Sequence, residues 1–258
     1  APVRRLHTKR GLATAKPGSL LKKHIPIKTN QWDEHIPGFL EADTVAHCGS
    51  SMAGMFVFTL NSVDIATNWT EQRALWGKGE HGTLEALTSI EAALPFRLRG
   101  FDCDNGSEFI NWTILVHYTK RKRPLAYTRS REYHKNDNAH VEGKNWTHIR
   151  QYLGYQRFDD PAIVQMLNDL YTNEWRLLMN FFVPSVKLTD KQRVKSRIIK
   201  TYDPPKTPLQ RVLESPHVAP QRKRELKNLF HQLNPFLLQQ CVDKKIRLIL
   251  ARASHSRS

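Results

Sequence analysis

The run Phe39-Leu40-Glu41-Ala42-Asp43-Thr44-Val45-Ala46 reads as a β-strand, yet an aspartate stands at its centre. A carboxylate inside an apolar strand is costly unless something compensates it, so the fold of this chain must bring Asp43 a partner. The residues that follow say what kind of fold that is. Strand-like runs at Met55–Leu60 and Ala66–Thr70 come in close succession and predict an antiparallel meander with the first. Leu84, Leu87, Ile90 and Leu94 recur at helical spacing and predict a helix over 84–94, stopped by Pro95. A fourth strand is expected over Phe96–Cys103, a helix over Glu108–Tyr118 and a short fifth strand over Leu125–Thr128. Two helices close the series. One covers Ala139 to about Leu153. The other opens with Asp160 as N-cap and Pro161 in the first helical position and runs to about Phe182. The order β-β-β-α-β-α-β-α-α predicts an α/β fold, a mixed five-stranded sheet flanked by helices.

The flanks differ in character. Residues 1–36 are basic, weakly periodic and punctuated by Pro17-Gly18 and Pro26, which predicts an arm or linker before a core at 37–185. From 186 to 258 the chain turns basic again, with Lys187, Lys191, Arg193, Lys195, Arg197 and Lys200, and is expected to contact DNA by non-specific phosphate attraction; a basic helical stretch is expected from Gln221 to about Leu233. Ala1 in place of Met suggests a fragment of a longer protein. Over 258 residues, 40 Lys+Arg against 24 Asp+Glu give a formal charge of +16. That surplus favours a polyanionic partner, because neutralised phosphates release counterions. No apolar run of about 18 residues is present, so a membrane partner is not expected. Cys48, Cys103 and Cys241 are odd in number, far apart and without a CxxC pair, which argues against a disulfide framework or thiolate zinc site and for a reducing, intracellular setting.

Three acids stand out by position. Asp43 is the strand aspartate. Asp104 ends the fourth strand and opens the turn Asp104-Asn105-Gly106-Ser107-Glu108-Phe109, at the carboxyl edge of the sheet where α/β folds place their sites. Glu142 falls on the 139–153 helix within roughly 40° of Trp146, Ile149 and Leu153 at about 100° per residue, which predicts an inward face. Taken singly, Asp43 reads as a paired core acid, Asp104 as an Asx turn and Glu142 as a solvated side chain. Taken together, three converging carboxylates without thiolate or paired histidine form a hard-oxygen donor set suited to Mg²⁺ or Mn²⁺. Asp102, Asp64, Glu41, Glu108 and Asp137 rank below them as ligands. Arg129, Arg131 and Lys135, from a basic loop between the second and third acids, are candidate DNA contacts. So are Asn145 and Arg150, which follow Glu142 by about one and two helical turns. Lys144 is expected to be solvated.

The strand carrying Asp43, the turn from Asp104 to Phe109, and Lys135-Asn136-Asp137-Asn138-Ala139-His140-Val141-Glu142 together resemble the integrase catalytic core of bacterial insertion-sequence transposases. The resemblance covers roughly residues 10–210 and includes Trp146-Thr147-His148 and Asn180-Phe181-Phe182-Val183-Pro184-Ser185. It implies an RNase H-like fold, a DDE triad of Asp43, Asp104 and Glu142, two divalent metal ions, DNA strand cleavage and strand transfer. It also implies transposon ends and target DNA as partners, a homo-oligomer on DNA, and a bacterial cytoplasmic, nucleoid-associated location. The alternatives left by the residues are a remnant that only binds DNA non-specifically, or a nuclease of the RNase H type.

Overall fold

The computed structural model describes residues 21–28, 35–131, 139–194 and 196–255. Its centre is a five-stranded mixed sheet in the order β3-β2-β1-β4-β5, flanked by helices. β1 (Phe39–Ala46), β2 (Val57–Asp64) and β3 (Thr70–Trp76) form the antiparallel meander. β4 (Gly100–Cys103) and β5 (Ala126–Arg129) join β1 in parallel. The helices between them are α2 (Glu80–Ala93) and α3 (Trp112–Thr119), with a short α1 (Leu21–His24) ahead of the sheet.

β1 matches its sequence expectation, whereas β3 begins where the expected third strand ends. Its run Thr70-Glu71-Gln72-Arg73 is polar and buried, so apolar patterning misses it. The burial is compensated. Glu71 is fully buried and holds Arg176 at 2.8 Å and Arg73 at 3.3 Å, and accepts the Trp69 indole N–H at 3.1 Å.

β3 is an edge strand, a position that leaves backbone groups without a strand partner. The helix beyond it closes that edge with side-chain amides. Asn168, on α6 (Ala162–Leu170), pairs with both backbone groups of Ala74, and Asn180, on α7 (Arg176–Phe181), pairs with both of Thr70. A π-helical stretch, Tyr171–Trp175, separates α6 from α7, where one continuous helix was expected. The opposite edge, β5, is covered by residues 25–28: Arg129 N–H donates to Pro26 and Lys28 N–H to Arg129. In the described part, the expected N-terminal arm is therefore docked against the sheet.

Beyond the core come a hairpin, β6 (Leu188–Val194) and β7 (Arg197–Tyr202), and three helices, α8 (Pro208–Glu214), α9 (Pro220–Gln232) and α10 (Pro235–His255). The sequence marks 186–258 only as a basic segment, but its helices pack inward. Leu209, Val212 and Leu226 join the cluster under β1 and β4, while Val242, Ile246 and Ile249 join Ile149, Ile163 and Leu167. No helix among the described residues is long and apolar enough to cross a membrane.

Replacing Glu71 by Ala strands Arg73 and the inner end of Arg176 without their counter-charge. Removing one partner of a buried ion pair costs about 3–5 kcal/mol, so the unfolding free energy of Glu71→Ala measured in urea should fall by an amount of that order.

Candidate active site

Asp43, midway along β1, and Asp104, the residue that follows β4, meet across two neighbouring parallel strands. The β1–β4 register pairs Ala42 with Cys103, which sets the next residue of each strand, Asp43 and Asp104, side by side. Both are half-buried. On the other side of β1, Asp43 lies opposite Asn61, and Asn61 opposite Gln72. Those side chains are hydrogen-bonded in sequence. Gln72 Nε2 donates to Asn61 Oδ1 at 2.9 Å, Asn61 Nδ2 to Asn145 Oδ1 at 2.8 Å, and Asn145 Nδ2 to Asp43 Oδ2 at 2.7 Å. The other Asp43 oxygen accepts the Thr44 N–H at 2.7 Å. This network is the partner that the strand aspartate requires.

Asp104 turns back on its own loop, accepting the Gly106 N–H at 3.0 Å. A Cβ on Gly106 would lie 2.6–2.8 Å from the Glu108 carboxyl atoms, so glycine is what lets that acid fold under the turn. Glu108 is buried and accepts from Thr44 Oγ1 at 2.7 Å and from Lys78 Nζ at 2.5 Å. Sequence ranking placed Glu108 among the lesser acids because it opens a helical turn. Its burial beside Asp43 and Asp104 had no signal in the local pattern.

The electrostatics follow from this crowding. Burial raises the Asp104 carboxyl, and the neighbouring Asp43 charge raises it further, to about 6. Burial raises Asp43 as well, against the lowering pull of the Thr44 N–H, Asn145 and Lys78. Lys78 is the cation that faces both.

Glu142 is placed differently from the expectation. It lies on α4 (Ala139–Lys144) and is exposed, and its carboxylate makes no hydrogen bond or ion pair with another described residue. Among the described residues no three His, Cys, Asp or Glu side chains are grouped so as to hold a metal ion. The cause of the altered face is helical pitch. Residues Asn145–Arg150 form a π-helical stretch, followed by α5 (Gln151–Leu153). A π turn advances each residue by about 80° instead of 100°, which swings Ile149 roughly 110° away from Glu142 and brings it in line with Val141. The inward stripe is therefore Val141, Asn145, Ile149 and Leu153, with Trp146 exposed. Lys144, expected to be solvated, is half-buried, and burial pushes it down to about 8. Gly143 has open space around its missing Cβ, so no close contact requires it.

The other candidates are distributed as follows. Arg129 donates to Ile25 O, Asn105 Oδ1 and Lys22 O, tying the N-terminal segment to the Asp104 turn. Arg131 is exposed just beyond β5. Lys135 and Asp137 lie outside the described residues. Arg150 donates to Ala46 O at 2.8 Å and Gly154 O at 3.2 Å and stacks over Tyr155, which makes it a clamp between the helix end and β1. Among the lesser acids, Asp102 accepts from Thr128 Oγ1 and Asp64 from Gly38 N and Thr67. Glu41 accepts the backbone N–H groups of His140 and Val141, at the start of α4, and the Lys28 ammonium.

No family model matches the chain. An uncharacterized protein of Sinorhizobium fredii (strain NBRC 101917 / NGR234), y4rM, is 39% identical over 194 residues, which are 75% of this chain and 55% of that protein. The chain thus spans about half the length of the curated relative it matches. Among solved structures, a chain in the simian T-cell lymphotropic virus intasome in complex with PP2A regulatory subunit B56 gamma aligns with a TM-score of 0.44 and 14% identity. That alignment covers 62% of this chain and 52% of the other.

Asp104 carries a testable consequence for stability. Its folded value, about 6, lies above the ordinary 3.8, so the fold disfavours the ionised form. The resulting penalty is absent below about pH 4, grows between about 4 and 6, and is fully present at neutral pH. Asp104→Asn keeps an acceptor for Gly106 and removes the charge. It should raise the unfolding free energy at pH 7.5 by on the order of 2 kcal/mol and by much less at pH 4. Denaturant titrations at the two pH values check this, and an equal effect at both would contradict the electrostatic account.

Proposed function

We propose that this chain is the RNase H-like catalytic core of a DDE transposase or integrase, an enzyme that cuts and joins DNA with the help of divalent metal ions. The observation that carries the reading is the side-by-side placement of Asp43, inside β1, and Asp104, just past the parallel strand β4, in a sheet ordered 3-2-1-4-5. The formal charge of +16 supports a polyanionic substrate.

The donor set fits the metals such an enzyme uses. Asp43, Asp104 and the nearby Glu108 offer oxygens alone, and the raised Asp104 carboxyl marks a place where positive charge is wanted. Asp43 and Asp104 would hold Mg²⁺ or Mn²⁺, with Glu142 the third acid. Held by these carboxylates, such ions would supply the Lewis acidity that an in-line displacement at phosphorus needs. The chain's own residues prepare the site. Asn145, itself held by Asn61 and Gln72, fixes which Asp43 oxygen faces the helix. Gly106 folds the turn so that Asp104 stays at the sheet edge. Lys78 offsets part of the carboxylate repulsion. Transposon ends and target DNA are the proposed substrates, on a homo-oligomeric assembly that holds two DNA ends together.

One observation favours a second reading, in which the fold only binds DNA. The Glu142 carboxylate is exposed and away from the hydrogen-bonded network of Asp43.

Labelled duplex DNA incubated with Mg²⁺ or Mn²⁺ separates the two readings when this chain is compared with Asp104→Asn and Glu142→Gln at matched DNA binding. The enzyme reading expects nicked and joined products that fall by about 100-fold or more in either variant, a barrier change near 3 kcal/mol. Binding without metal-dependent products from the parent chain would leave the DNA-binding reading standing. Cleavage of RNA–DNA hybrid without joining would point to a nuclease instead.

A further inference from the structure

The β6–β7 hairpin is exposed at every described position of both strands. An isolated two-stranded ribbon is marginal in water, yet this one is anchored firmly at its base. Lys187 Nζ donates to Ile65 O at 2.7 Å and Ala66 O at 3.0 Å, and the Lys187 N–H donates to Asp203 at 2.6 Å. Arg211 holds Asp203 in turn, and Asn68 reaches Ser185 Oγ at 2.9 Å. The ribbon is thus an arm fixed to the β2–β3 end of the sheet.

Its two faces differ in charge. Cross-strand partners share a face, and the register pairs Leu188 with Tyr202, Lys191 with Lys200, and Arg193 with Ile198. That face carries three cations and no acid. The opposite face pairs Asp190 with Thr201, Gln192 with Ile199 and Val194 with Arg197, and Asp190 there is engaged by the Lys191 N–H and Gln192. Two lysines directly opposite one another repel in the free protein, a cost that a polyanion lying along the face reverses. A two-stranded ribbon also has the width to enter the major groove of a DNA duplex.

We propose that the Lys191–Arg193–Lys200 face of the β6–β7 ribbon is a docking surface for duplex DNA, gripping phosphates independently of sequence while Tyr202 and Ile198 supply apolar contact. This rests on the reading of the chain as a DNA-processing protein and adds a site apart from the acids. The DNA contact expected of the basic segment as a whole is thereby assigned to one face of an anchored arm.

The test is binding of the chain to a labelled 30-bp duplex of arbitrary sequence across a salt series, without metal. Each phosphate contact contributes about 0.9 to the slope of log affinity against log salt. The triple variant Lys191→Ala/Arg193→Ala/Lys200→Ala should lower that slope by about 2 to 3 and weaken binding at least tenfold near 0.1 M salt. Gln192→Ala/Thr201→Ala, on the opposite face, should change neither. All five positions are exposed, and circular dichroism verifies that both variants fold. If the parent chain binds and the triple variant matches it, the ribbon proposal falls while the functional reading survives. If the triple variant instead alters only the sedimentation of the protein, the face belongs to a second copy of this chain and the proposal is overturned. No duplex binding by the parent chain overturns both.

Discussion

β1 carries two carboxylates on one face, and a single helix answers both. Glu41 accepts the first N–H groups of α4, at His140 and Val141, while Asp43, two residues on, accepts the Asn145 amide from the same helix. The strand period of two and the helical rise thus meet at two points. Those points fix where the helix starts and how it is rotated against the sheet. The orientation of Asp43, the burial of Val141 and Ile149 and the position of Glu142 all follow from that double attachment.

The π stretch at Asn145–Arg150 belongs to the same arrangement. A regular helix from Ala139 would put Glu142 in line with Ile149 and Leu153. The wider turn instead aligns Val141, Asn145, Ile149 and Leu153, which gives Asn145 the inward position from which it bridges Asn61 and Asp43. A carboxylate at that place would stand against Asp43 and Asp104, where burial and then like charge already raise Asp104. The amide, which donates on one side and accepts on the other, satisfies a buried row that a third charge would disrupt.

This separates what the sequence makes legible from what it does not. The sheet, its element order, the mid-strand Asp43 and the strand-end Asp104 follow from apolar periodicity and turn residues, because those are local signals. β3 escapes because Glu71, Gln72 and Arg73 look like surface residues until Arg176, about a hundred positions later, supplies the counter-charge. The Glu142 face escapes because a π stretch has no periodic signature of its own and shifts every residue after it. Asn145 is singled out by its spacing from Glu142, but its link to Asp43 depends on the register of β1 against β2, which no local pattern encodes. The inward packing of α9 is hidden for a related reason: its basic composition dominates the pattern and Leu226 is its buried residue. The buried stripe of α10, Val242, Ile246, Ile249 and Ala253, recurs at helical spacing and is a local signal that a reading of 186–258 as a basic segment passes over.

The treatment of strand edges distinguishes the core from its appendage. Both edges of the main sheet are closed, β3 by the Asn168 and Asn180 amides and β5 by the chain at Pro26–Lys28. Closing edges in this way prevents uncontrolled pairing with other chains. The β6–β7 ribbon receives no comparable cover among the described residues, although Lys187, Asp203 and Arg211 hold its base with hydrogen bonds. Lys191 and Lys200 deter pairing with another like-charged ribbon, as edge lysines do. The same charges leave the arm attractive to a polyanion, so protection against self-association and recognition of a phosphate backbone come from one set of residues.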